Sequence, residues 1–158
     1  MGKSYLFPLP HPNTNRLILE ILPMKVKVTR RETFNAAHRL YNKNWTDEKN
    51  LSVFGKCSNA NFHGHNYQLF VSVTGEIDKD TGYVIDLDIL KKIIRTEIIE
   101  LLDHKNLNLD VEAFRDTNPT AENIALFIFK TLKMKLDSHY QLSVKLYETE
   151  NNIAEVQE

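Results

Sequence analysis

From Lys25 onward apolar and polar positions alternate with period two: Val26 and Val28 interleave with Lys25, Lys27 and Thr29. This predicts a half-buried strand that continues to about Phe34 and delivers the segment Phe34-Asn35-Ala36-Ala37-His38-Arg39. Leu69, Phe70, Val71 and Val73 predict a second strand from about Asn66 to Thr74, and Asp78-Lys79-Asp80-Thr81-Gly82 supplies the turn chemistry after it. The period then changes. Asp86 is placed as the N-cap of a helix whose Leu87, Leu90, Ile93 or Ile94, Ile98, Leu101 and Leu102 form one apolar face. Pro119 and Thr120 open a second helix, with Glu122 in its first turn and Ile124, Phe127, Ile128, Leu132 and Leu136 along its buried stripe. Leu142, Val144 and Leu146 alternate again as a third strand ending at Glu148, and Ile153 to Val156 return as a fourth. Strand, strand, helix, helix, strand, strand is the order of an α+β domain, an antiparallel sheet with helices on one face.

Two stretches between these elements read as loops. Tyr41 to Lys56 is polar but carries Trp45, Leu51, Val53 and Phe54, so it is expected to pack over something. Leu102 to Pro119 is polar and contains Asp103-His104. Residues 1–23 are proline-rich and lack a core pattern, which predicts an N-terminal extension to a domain over 24–158, with Met24 a candidate natural start. Leu17 to Leu22 is broken by Glu20 and too short for a membrane span, and it lacks the features of a signal peptide.

Composition narrows the function classes. A chain of 158 residues, 42% hydrophobic and 26% charged, has the length and make-up of one globular domain. Twenty basic residues against 21 acidic ones create no overall field toward nucleic acid or an anionic membrane. The five glycines form neither a phosphate-cradling loop nor a dinucleotide fingerprint. A single cysteine excludes an intramolecular disulfide and fits a reducing, cytoplasmic setting.

Candidate chemistry gathers in Cys57-Ser58-Asn59-Ala60-Asn61-Phe62-His63-Gly64-His65-Asn66-Tyr67. On a strand, His63 and His65 point the same way, with Gly64 leaving the opposite face uncrowded. Two imidazoles rarely suffice for zinc, and His38, at the end of the first strand, is the third candidate ligand. Three histidines make an open, catalytic site, whereas Cys57 as fourth ligand makes a closed, structural one; the residues alone leave both open. In the open form a nearby Cys57 thiolate can take a proton from carbon. Asp103-His104 is the type of pair that sets a tautomer and relays protons, although chain neighbours usually point apart. Glu148 can accept a ligand's paired N–H groups.

Phe34-Asn35-Ala36-Ala37-His38-Arg39-Leu40, Gly55-Lys56-Cys57, His63-Gly64-His65-Asn66-Tyr67, Leu102-Asp103-His104-Lys105-Asn106-Leu107, Pro119-Thr120-Ala121-Glu122-Asn123 and Tyr147-Glu148-Thr149 together resemble the 6-pyruvoyl-tetrahydropterin synthase and 6-carboxy-tetrahydropterin synthase (QueD) family. The resemblance spans essentially Lys25 to Asn152. It implies a tunnelling fold (T-fold): a four-stranded antiparallel sheet with two helices, trimers closing a barrel, and two trimers stacked as a homohexamer. It implies 7,8-dihydroneopterin triphosphate as substrate and Zn2+ held by His38, His63 and His65. It further implies Cys57 as general base, Asp103 and His104 assisting from a neighbouring subunit, and Glu148 anchoring the pterin beside the Thr120 to Glu122 turn.

One substrate leads to two products in this family: a pyruvoyl pterin, or a carboxylated pterin with acetaldehyde released on the queuosine path. The five-residue gap between Cys57 and His63 resembles the animal pyruvoyl-forming enzymes, whereas composition and the short domain resemble bacterial carboxylate-forming ones. Weighting the latter, the expectation is a 6-carboxy-tetrahydropterin synthase, with the pyruvoyl-forming synthase as the alternative and a zinc-stabilised binding protein as a second. A dihydroneopterin-cleaving departure, marked by glutamate in place of the cysteine, is not indicated.

Overall fold

The computed structural model describes residues 24–158, so the predicted extension over 1–23 lies outside the described residues. Strand β1 (Val26–His38) pairs antiparallel along its whole length with β2 (His63–Gly75), β2 with β4 (Gln141–Tyr147), and β4 with β5 (Ile153–Gln157). These are the four expected antiparallel strands, and β1 and β2 are longer than the alternation indicated. A two-residue strand, β3 (Lys105–Asn106), adds to the free edge of β1 in parallel at Ala36 and Ala37, which makes the sheet mixed and five-stranded in the order β3-β1-β2-β4-β5.

Strand alternation decides which side chains the helices cover. Phe34 and Ala36 of β1, Tyr67, Leu69, Val71 and Val73 of β2, and Leu142, Val144 and Leu146 of β4 are buried on one face. The two long helices lie on that face. The first, α2 (Leu87–Ile94), begins as expected at Asp86, whose carboxylate accepts the Asp88 N–H at 2.7 Å. It continues through a π-helical turn (Arg95–Ile99) into a last turn (Glu100–Leu102). Leu90, Ile94, Ile98 and Leu102 are fully buried, while Leu87 and Leu101, placed on the same face by sequence, stay at its exposed rim. The second, α4 (Ala121–Lys133), is capped by Thr120 and buries Ile124, Ala125, Ile128 and Leu132.

Beside the π turn a charge enters the packed face. Glu32 of β1 is buried, and its carboxylate is held by Arg30 at 2.7 Å and Arg95 at 3.4 Å. Pairing is what makes a carboxylate tolerable there.

The segment read as the first loop contains a helix, α1 (Asp47–Phe54), capped by Thr46. Its one buried residue is polar: Asn50 accepts the Asn42 N–H at 2.7 Å and donates to the Asn42 and Thr46 carbonyls at 3.0 Å. Trp45 stacks on Phe54 within the stretch and ties the helix ends together, while Leu51 and Val53, expected to pack over something, stay exposed. In the second stretch, a single helical turn, α3 (Leu107–Asp110), follows β3 directly.

Replacing Asp86 by Ala removes the cap of α2 and is expected to cost about 1 kcal/mol in chemical denaturation, the usual worth of an N-cap carboxylate.

Candidate active site

The ladder between β1 and β2 ends with His38 opposite His63 and Ala36 opposite His65. All three imidazoles therefore project from the face that the helices cover, just beyond the last core residues. Phe34 and Tyr67 stack at 4.8 Å beneath them and separate them from the aliphatic core. Ring centroids lie 4.5 Å apart for His38 and His63, 5.1 Å for His38 and His65, and 5.0 Å for His63 and His65. One nitrogen from each ring lies within 4.8 Å of those of the other two. Gly64 permits this closeness, because a Cβ there would sit 3.2 Å from the Ala36 carbonyl oxygen and press the two strands apart. Just before His63, Phe62 takes a left-handed backbone (φ 61°), which turns the chain into β2.

Tautomers follow from the surroundings. The His38 Nδ1 lies 2.7 Å from the carbonyl oxygen of Pro119, a group that can only accept, so Nδ1 carries the hydrogen and Nε2 presents its lone pair. Burial drives the pKa of His38 below its ordinary value, against the Pro119 hydrogen bond and the Glu148 charge, and burial followed by the neighbouring His65 lowers that of His63. His38 and His63 are thus held in the neutral, metal-binding form. Among the described residues, the His38 Nε2, both His63 ring nitrogens and the His65 Nε2 are buried without a hydrogen-bond partner. Such orphans are costly in a folded protein, and a divalent ion bound by imidazole would satisfy one on each ring. The His38, His63 and His65 set fits a metal.

Glu148, at the end of β4, is 17% exposed and aims one oxygen at the triad, 3.6 Å from the His38 Nε2 and 3.9 Å from the His65 Nε2. Those lengths exceed hydrogen bonds, so the carboxylate oversees the cluster without binding it. Its backbone N–H donates to Asn152, closing the turn that follows. Thr120 caps α4 one residue after the Pro119 carbonyl, its hydroxyl accepting the Asn123 N–H, and Glu122 is exposed in the first turn.

Cys57 lies in a 3₁₀ turn (Gly55–Ser58), half-buried, and shares with His63 the wall of a cavity of about 830 Å³ whose outer side is α1. The Cys57 carbonyl accepts the Leu40 N–H at 2.9 Å. Asp103 and His104 lie elsewhere, on a separate cavity of about 460 Å³ at the outer edge of β1 and bordered by Asn35 and Gln68. Contrary to the tendency of chain neighbours to point apart, they form a pair: His104 takes a left-handed backbone (φ 57°), and its Nδ1 lies 2.9 Å from the Asp103 carboxylate. The other Asp103 oxygen accepts the Asn35 N–H at 2.8 Å, and that bond chiefly holds its carboxyl below the usual carboxylate range. His104 is 83% exposed, facing outward. Within one chain the triad, Glu148, Cys57 and Thr120 are brought together, and the Asp103–His104 pair stands apart.

Two groups at the site escaped sequence reasoning. The Pro119 carbonyl has no side-chain signal. Tyr67 was visible only as the end of the histidine motif, yet its hydroxyl is fully buried beside the triad and has no partner among the described residues. Burial, with the Glu148 and Cys57 charges nearby, pushes its pKa well up, so it stays a protonated donor.

Comparison with known proteins matches residues 27–158 to the family described as 6-pyruvoyl tetrahydropterin synthase. A 6-pyruvoyl tetrahydrobiopterin synthase of Pongo abelii is 51% identical over 129 residues, covering 82% of this chain and 89% of the relative. The solved 6-pyruvoyl tetrahydropterin synthase of Caenorhabditis elegans superposes with a TM-score of 0.80 at 39% identity, covering 85% of this chain and 96% of that one. A 6-carboxy-5,6,7,8-tetrahydropterin synthase of Rickettsia typhi is 30% identical, covering 83% of this chain and 99% of the relative. The expectation of a carboxylate-forming, queuosine-path enzyme is overturned by this ranking. Composition and length carry little information about product, whereas the Cys57 to His63 spacing, part of the site itself, pointed to the pyruvoyl-forming side.

Tyr67→Phe deletes a buried hydroxyl that has no partner. The metal-free variant is expected to be as stable as the parent or up to about 1 kcal/mol more so in urea denaturation, and a loss of that size would reveal a partner for the hydroxyl.

Proposed function

The chain belongs to the 6-pyruvoyl tetrahydropterin synthase family, and on that premise we propose that it eliminates triphosphate from 7,8-dihydroneopterin triphosphate and leaves a 6-pyruvoyl tetrahydropterin. Its main support is the convergence of three imidazoles, each with a buried nitrogen free of hydrogen-bond partners among the described residues, beside a cavity that Cys57 also lines.

His38, His63 and His65 hold Zn2+. When bound, the ion acts as a Lewis acid that polarises the side-chain oxygens of the substrate and makes the adjoining C–H bonds more acidic. Around it the protein supplies position and proton traffic. Glu148 accepts the amino and ring N–H groups of the pterin, a charge-assisted pair of bonds in a mostly dry setting, beside the Thr120 to Glu122 turn. That fixes the ring and leaves its side chain lying over the triad toward Cys57. The Cys57 thiolate takes protons from the two carbinol carbons of the side chain. Loss of the first lets that carbon become a ketone while the ring C=N bond is reduced to CH–NH. Loss of the second expels triphosphate and leaves an enol that tautomerises to the second ketone and a methyl group, an internal redox that needs no external oxidant.

Asp103 and His104 act from a neighbouring subunit. Their exposure and their separation from the Cys57 cavity within one chain support an arrangement in which subunits associate to complete the site, in a homohexamer built as a dimer of trimers. The hydrogen bond from Asn35 keeps Asp103 ionised, so that it orients His104 by its Nδ1 hydrogen and leaves Nε2 to exchange protons with the thiol.

Zinc-loaded protein incubated with 7,8-dihydroneopterin triphosphate is expected to yield a pyruvoyl pterin and inorganic triphosphate by mass spectrometry. Unchanged substrate, or a carboxylated pterin with acetaldehyde, would overturn the proposal. His63→Ala is expected to lose metal and turnover together. Cys57→Ala should keep its metal, measured by plasma emission, while turnover falls on the order of a hundredfold or more, the scale of a positioned base.

A further inference from the structure

Arg39, the residue after His38, lies between the two halves of the site. Its Nε donates to the carbonyl oxygen of Ser58 at 2.7 Å, and the next residue, Leu40, donates its N–H to the carbonyl oxygen of Cys57 at 2.9 Å. Two successive carbonyls of the cysteine turn are therefore held by two successive residues that continue directly from a histidine of the triad. Few covalent bonds and only these hydrogen bonds separate His38 from the thiol-bearing turn.

Each end of this link is immobilised. The Asn108 side chain clamps the Arg39 backbone from both sides, accepting its N–H at 2.8 Å and donating to its carbonyl at 3.0 Å. Asn108 is itself set by the Asn106 side chain, which accepts the Asn108 N–H, and by β3, which pairs with β1. The Arg39 guanidinium lies over the Tyr41 ring, its central carbon 3.9 Å from the centroid, and Tyr41 is pinned by a bond from its N–H to Asn118 and from its hydroxyl to Asp47. On the other side, Ser58 is buried and its hydroxyl donates to the Gly55 carbonyl at 2.7 Å, closing the cysteine turn on itself. Gly55 takes the left-handed backbone (φ 55°) that starts this turn.

An arginine braced in this way is spent on a main-chain oxygen and an aromatic face. The cavity it borders sets Asp47 and Glu48 against Arg39 and Lys56, so its wall carries no excess of positive charge. We propose that Arg39, braced by Asn108, is a positioning residue that sets the Cys57 thiol against the histidine triad and hence against the carbon that loses its proton. This rests on Cys57 being the base in the proposed function.

Because Cys57 is the single cysteine of the chain, its alkylation by iodoacetamide reports on this thiol alone, independently of turnover. Arg39→Met keeps the stem over Tyr41 but removes the donor to Ser58. It is expected to retain bound metal and a KM within about threefold, while kcat falls roughly tenfold to a hundredfold, the scale of a misplaced reacting group. Alkylation of Cys57 should become faster, since a half-buried turn has been released. Arg39→Lys, which keeps a donor and a charge, should recover most of the loss, and Asn108→Ala should shift kcat and alkylation in the same directions by a smaller factor. Should Arg39→Met fail to fold, the Arg39→Lys and Asn108→Ala pair decides by the same signs.

Slower alkylation together with lower kcat would make Arg39 an electrostatic activator of the thiol, and a loss confined to KM would make it a substrate contact. Either outcome, or loss of metal, or unchanged kcat, overturns positioning. Full activity in Cys57→Ala would instead remove the assignment of the base, and the alkylation rates would still report whether Arg39 holds the turn.

Discussion

The register of one antiparallel ladder governs this molecule. With β1 and β2 paired so that His38 opposes His63, three imidazoles emerge on the helix-covered face and meet. A slip of one residue would send the whole set of one strand to the opposite side. That register is held by the large side chains further along the same strands, where Phe34 stacks on Tyr67 and Leu69, Val71 and Val73 are fully buried. Core packing and the geometry of the histidine cluster are consequences of the same alignment.

The cluster is also where the packed interior becomes polar. Four ring nitrogens and the Tyr67 hydroxyl are buried without partners, a concentration of unsatisfied groups that a stable core does not accumulate without a use for it. The segments that flank the cluster are tied by hydrogen bonds to the backbone of β1 or its extension. Asp103 binds the Asn35 N–H, Asn108 clamps Arg39, and Leu40 reaches the cysteine turn. The outer edge of β1 serves as a rail on which the segment 103–108 is mounted, and the parallel strand β3 is the visible sign of that mounting.

Much of this was legible because the relevant signals are periodic or local. Alternation located the four long strands, helical spacing located α2 and α4, and Asp86 and Thr120 cap them as their chemistry dictates. The histidine triad followed from strand geometry and a third residue at a strand end. What stayed hidden has specific causes. Helix α1 turns its polar Asn50 inward and leaves Leu51 and Val53 exposed, so it has no apolar period to read. The buried Glu32 depends on arginines from two different elements meeting one carboxylate, which no window of sequence displays. The Asp103–His104 pair depends on a left-handed backbone at a histidine, an unusual conformation for that residue. The carboxylate-forming expectation rests on bulk composition and length, which carry none of the site's chemistry, whereas the five-residue Cys57 to His63 spacing inside the site points the other way.

The bond that sets the His38 tautomer has a main-chain oxygen, that of Pro119, as its acceptor in place of a side chain. No replacement at position 119 can delete that oxygen, because every amino acid carries one. The protonation pattern of the ring is thereby insulated from mutation of its own partner, and only a shift of the chain leading into α4 can disturb it. Selection acting on side chains at 119 is free to tune the entry into that helix while the imidazole keeps its lone pair aimed at its two companions.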